Sequence, residues 1–129
     1  MPALTPVVRA ILIATVGAFF LQETLPRFAD LLVFVPGFVF TRPWTVVTYM
    51  LLHGGLTHIL FNMLGLYFFG PRIEERIGSR PFLTLYLVSG AAGALLSLAL
   101  AMSGIGSPAP IIGASAGVFG VMLAFAWFY

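Results

Sequence analysis

The chain has no cysteine, which excludes disulfide frameworks and thiolate metal sites. It has no lysine either, and its six cationic residues are arginines scattered along the chain. A nucleic-acid binder would gather its positive charge into a stripe, so the net charge of +2 does not point to nucleic acid. Charge of either sign is scarce: 8% of residues are charged and 60% are hydrophobic, where a soluble domain has roughly a quarter charged. So little charge cannot cover a globule with water-compatible surface, and the composition specifies an integral membrane protein. A small-residue cleavage site is missing after the first apolar stretch, where Gln22–Glu23–Thr24 stands instead. That stretch is therefore expected to be a retained span rather than a cleaved signal peptide.

Four apolar segments are present, over about residues 6–25, 48–70, 81–102 and 111–129. A span takes about 20 apolar residues, which the first three supply and the fourth nearly does. Arg9 precedes the first segment, and Arg72, Arg76 and Arg80 lie in the connection Pro71–Arg80. Three helices before the fourth put both regions on one side, and the positive-inside rule makes that side, with the N-terminus, cytoplasmic. The stretch Pro26–Val47 is too apolar for a water-exposed loop, while Pro36, Gly37 and Pro43 interrupt any continuous helix. Backbone at membrane depth must find partners within protein, so a structured, half-submerged interfacial element is expected over 26–47, a fifth short span being the alternative. The chain stops inside an apolar aromatic run, Phe125–Ala126–Trp127–Phe128–Tyr129, without a basic flank. Truncation is the expectation there, although an aromatic belt can also close a span.

Three features could carry chemistry. In His53–Gly54–Gly55–Leu56–Thr57–His58–Ile59–Leu60–Phe61–Asn62, His58 and Asn62 are one helical turn apart and share a face. Polar side chains in a span are costly and mark functional sites, though they also bridge helices by hydrogen bonds. His53, ahead of two glycines, is expected to be an ordinary histidine near the outer interface. In Gly113–Ala114–Ser115–Ala116–Gly117, the small residues suit close helix packing. Ser115 follows Pro108–Ala109–Pro110 and so falls in the first turns of the fourth helix, where exposed N–H groups can hold an oxyanion. The third feature, Glu74–Glu75–Arg76–Ile77–Gly78, reads as a solvated turn, with an ordered tie between helix ends as the alternative. Ser89, Gly93 and Ser97, at four-residue spacing, read as helix packing.

Together these pieces resemble the rhomboid family of intramembrane serine proteases. The His53–(x)4–His58–(x)3–Asn62 string is similar to the family's oxyanion-side motif, and Gly113–x–Ser115 to its nucleophile motif. The Glu74–Glu75–Arg76–Ile77–Gly78 turn and the apolar first loop with Arg42 and Trp44 match the family's layout. The resemblance implies Ser115 as nucleophile, His58 and Asn62 with the Ser115 N–H as oxyanion donors, and Gly113 and His53 beside the substrate. It also implies a base histidine on a sixth helix. No histidine follows Ser115, and His53 and His58 are the only two. Ala116 stands directly after the serine, where the family commonly has glycine, and the family's Trp–Arg pair appears as Arg42–Pro43–Trp44.

The resulting expectation is an all-α polytopic membrane protein, a rhomboid-like core with four of six transmembrane helices present, making up a partial domain over residues 1–129. Its complete form would cleave transmembrane protein substrates in the lipid bilayer through a Ser–His dyad, with no metal or organic cofactor. The resemblance suggests a bacterial-type plasma membrane. The chain by itself is expected to be inactive, since a serine without its base is a poor nucleophile. The rivals are a catalytically inactive rhomboid-like protein that binds transmembrane clients, and a small helical membrane protein whose glycines only pack helices.

Overall fold

The computed structural model describes residues 3–129. Among them lie six α-helices: α1 (Pro6–Thr24), α2 (Pro26–Leu32), α3 (Thr45–Thr48), α4 (Leu56–Ile77), α5 (Ser79–Met102) and α6 (Ser115–Phe128). One isolated antiparallel bridge, Phe34 to Ile111, is the sole β-pairing among the described residues. Helices α1 and α5 are long and apolar enough to cross a membrane. Helix α4 meets the same test together with the turn Thr45–Leu51, from which it is bent by 100°. Phe61, Leu123 and Trp127 are 70%, 71% and 85% exposed. Such a surface suits hydrocarbon rather than water, and the chain is an all-α polytopic membrane protein.

The segment expected as one span over 48–70 divides instead. Its first residues form the turn of α3 and Tyr49–Leu51, and α4 starts only at Leu56. Gly54 and Gly55 are poor helix formers, each costing about 1 kcal/mol relative to alanine, and they sit where the chain turns. At the other end α4 runs through Pro71 to Ile77, past the expected stop at Gly70. Proline removes a backbone donor, but neighbouring helices and side chains can satisfy the freed groups in a membrane bundle. Gly78, at φ 96°, then joins α4 to α5 directly, a conformation that disfavours any residue with a Cβ.

The expected solvated turn around Glu74 is therefore corrected. Glu74 is buried, and its carboxylate accepts the N–H groups of Val7 at 2.9 Å and Val8 at 3.0 Å, and the Ser79 hydroxyl at 2.7 Å. Val7 and Val8 open α1, where the N-cap residue Thr5 makes no side-chain capping bond. Glu74 thus supplies from α4 what a capping side chain usually supplies locally. Its charge suits the positive end of the α1 dipole, and one residue draws together the start of α1, the end of α4 and the start of α5. The start of α1 and the Arg72–Arg80 region consequently share one end of the bundle.

The stretch 26–47 is structured, as its apolar content requires. Arg42 donates to the Asp30 carbonyl at 2.7 Å, the Trp44 indole to Leu31 at 2.8 Å and the Thr48 hydroxyl to Leu32 at 3.0 Å. These are last-turn carbonyls of α2, which have no intrahelical partner. Across the bundle, small residues let α5 and α6 approach. A Cβ on Gly93 would lie 2.6 Å from the Ala116 Cβ, and one on Gly120 would lie 2.6 Å from the Ser89 Cβ.

Candidate active site

Ile111, Gly113 and Ala114 are each held by the segment between α2 and α4. Ile111 pairs with Phe34, the Gly113 N–H donates to the Tyr49 carbonyl at 3.1 Å, and the Ala114 N–H donates to His53 Nε2 at 3.3 Å. Because these groups are committed outward, α6 begins at Ser115 rather than near Ile111. Ser115 is then the first residue of α6. The N–H groups of a first turn have no intrahelical partner, and no side chain caps them here.

Gly113 sits at φ 118°, a region that L side chains rarely adopt. A Cβ there would also come within 2.7 Å of His58 Cε1 and 2.9 Å of His58 Nε2, and 3.6 Å of Ser115 Oγ. The imidazole of His58 and the hydroxyl of Ser115 therefore flank the same bare α-carbon, and both residues are partly open. His58 Nδ1 accepts the Gly54 N–H at 3.1 Å. In the neutral ring this leaves the proton on Nε2, so the edge of His58 that faces Gly113 is a donor. One turn further along α4, Asn62 is buried and its Nδ2 has no hydrogen-bond partner. A buried donor left open calls for an explanation.

His53 is not the interfacial residue expected. It is fully buried, because the turn at 52–55 folds inward and its ring packs edge-on against His58 with 4.9 Å between centroids. A neutral ring is what its bond to Ala114 needs. Its backbone is held in turn by Gln22 at the end of α1: the His53 N–H donates to Gln22 Oε1 at 3.0 Å, and Gln22 Nε2 donates to the His53 carbonyl.

All five residues singled out in the sequence, Ser115, His58, Asn62, Gly113 and His53, belong to α4, α6 and the turns that precede them. Glu75 and Arg76 remain at the opposite end of α4. Gln22, Phe34 and Tyr49 were not foreseen as parts of the site. Only the polarity of Gln22 at the end of an apolar run hinted at its role, and its partner lies 31 positions away. Among the described residues no cluster of three or more His, Cys, Asp or Glu side chains is present.

The described site is thus a serine at a helix N-terminus and a histidine of the neighbouring helix on either side of one bare glycine, with a buried asparagine one turn further along that helix. The chain matches the Rhomboid domain over residues 40–129, well over half its length, and it belongs to the rhomboid family. It is 40% identical over 79 residues to the RHOMBOID-like protein 4 of Arabidopsis thaliana, a stretch covering 61% of this chain and 19% of that protein. It is 37% identical over 79 residues to the Rhomboid protease GluP of Bacillus subtilis, covering 61% of this chain and 14% of that protein. With the Rhomboid-like protease 3 of Toxoplasma gondii it shares 32% identity over 89 residues, covering 69% of this chain and 32% of that protein. The matched stretches thus span less than a third of these relatives' lengths. At the level of the family the kinship is with intramembrane proteases.

Proposed function

We propose that this chain carries the nucleophile and the oxyanion donors of an intramembrane serine endopeptidase acting on transmembrane protein substrates. The observation that carries the reading is the meeting of Ser115, at the start of α6, with the N–H edge of His58 across the bare α-carbon of Gly113. Ser115 Oγ attacks the scissile carbonyl, whose carbon–oxygen π electrons move onto the oxygen. His58 Nε2–H, Asn62 Nδ2–H and the Ser115 N–H are the donors for that oxyanion, and the open Nδ2 of Asn62 supports its part. The serine proton passes to a base histidine, which the family resemblance places on a sixth helix, outside these 129 residues. The acceptor nitrogens of both histidines present are already occupied, by Gly54 and by Ala114. That favours a base from elsewhere. Gly113 leaves room for substrate beside the nucleophile, and the buried His53 contributes through the segment it holds.

The arginines at the Glu74 end give that side, and the N-terminus, a cytoplasmic assignment under the positive-inside rule. The family resemblance keeps a bacterial-type plasma membrane as the proposed location. The test uses the intact protein in its membrane, with a fluorophosphonate probe and a transmembrane reporter substrate. Ser115→Ala is expected to abolish both labelling and cleavage. His58→Ala and Asn62→Ala are each expected to slow cleavage about 10²–10³-fold, as loss of an oxyanion donor does. Labelling that survives Ser115→Ala sinks the assignment of the nucleophile, and a wild type that neither labels nor cleaves leaves client binding as the better reading.

A further inference from the structure

The polar groups behind the nucleophile form a line rather than a cluster. Gln22 lies in the last turn of α1 and meets both backbone groups of His53. The His53 ring, fully buried, accepts the N–H of Ala114 through Nε2 at 3.3 Å, and Ala114 immediately precedes Ser115. The same ring packs on His58, whose Nδ1 is fixed by Gly54, the residue after His53. Any movement of the His53 backbone is therefore felt at Ser115 and at His58 together.

The two residues after His53 contribute little packing of their own. Gly54 has no side chain with which to pack, and a Cβ placed on Gly55 would find nothing within 4 Å. A cavity of about 250 Å³, lined among others by Gln22, Leu52, Pro110 and Ile112, lies beside the pair. The strand of chain that leads to Ser115 thus has space to relax into if its tie is cut. A primary amide that matches an N–H and a C=O of one residue fixes position and orientation, where a single bond fixes only distance. We infer that Gln22 is a positioning residue for the nucleophile: through His53 it sets the place of Ala114, and so of Ser115 relative to His58. This rests on the proposed assignment of Ser115 and His58, and it extends the site to a helix that neither sequence motif touches.

The test compares wild type, Gln22→Ala, Gln22→Glu, His53→Ala and the double variant Gln22→Ala/His53→Ala in the intact protein. Fluorophosphonate labelling of Ser115, thermal unfolding and amide hydrogen exchange are measured on each. Gln22→Ala is expected to slow labelling roughly tenfold, well inside the 10²-fold that a 1 Å misplacement can cost. Gln22→Glu keeps the size and one acceptor but loses the donor, and is expected to be as slow as the alanine variant. The double variant should label no more slowly than His53→Ala alone, since both substitutions cut one line. Ile73→Ala, a buried change in α4 near the Glu74 end, supplies a variant of lowered melting temperature without any link to the site. A merely structural role puts Gln22→Ala on the same relation of labelling rate to melting temperature as Ile73→Ala, and that result overturns the inference. So does wild-type labelling in Gln22→Glu. Hydrogen exchange decides independently of activity: peptides covering 52–55 and 111–115 should lose protection in Gln22→Ala while α5 does not. If wild type shows no Ser115-dependent labelling, the proposed function falls, and this exchange pattern alone still sustains or refutes the tie. Unchanged protection at 111–115 refutes it.

Discussion

The two ends of the bundle solve the same problem in different ways. At one end a single carboxylate, Glu74, collects two backbone donors of α1 and the hydroxyl of Ser79. At the other, neutral groups act in series, from Gln22 to His53 to Ala114. Both devices fasten α1 to the rest of the molecule. The carboxylate hub concentrates charge-assisted bonds on one buried residue, and these are the stronger kind. It stands at the other end of α4 from His58, so it is read as a device for stability. The neutral line has weak links, each worth about 1 kcal/mol net, but it ends on the residue before Ser115, the proposed nucleophile. It is read as a device for placement.

The largest test of this contrast is Glu74→Ala, expected to lower stability by about 3 kcal/mol, the upper range for hydrogen bonds to a charged group. Thermal unfolding in detergent should show the loss, and labelling of Ser115 in the fraction still folded should stay near the wild-type rate. A labelling defect that exceeds the loss of folded protein would erase the distinction between the two ends. Next comes Gly113→Ala, where positive φ costs of order 1–3 kcal/mol and the new methyl meets the His58 ring. Cleavage is expected to vanish while the protein still inserts and folds; normal cleavage would show that the close approach at Gly113 is dispensable. Gln22→Ala is expected to cost only about 1 kcal/mol of stability, yet to slow labelling more than Glu74→Ala does.

Much of this was readable in advance. Long apolar runs with few charges can only be spans, and the spacing of His58 and Asn62 puts them on one helical face wherever that helix lies. Ser89 and Gly93, read as packing positions, do lie against α6. Other features were misread for identifiable reasons. Pro71 signals a helix end in water, but within this bundle α4 passes through it. Glu74 looks like a solvated charge because its partners at Val7 and Val8 are 67 and 66 positions away. His53 looks interfacial because nothing local reveals that Gln22 and Ala114 enclose it.

What the sequence alone determined is the solvent this protein requires and the residue types available for chemistry. Apolar content and helical period are local or additive properties, so they need no knowledge of the fold. Only the tertiary structure decided where helices stop, which nitrogen of each histidine is free, and how Ser115 meets His58. Each of these depends on a hydrogen bond or a close approach between segments distant in the chain. Buried polar groups must find partners wherever the fold provides them, and spacing along the chain carries no record of which partner that is.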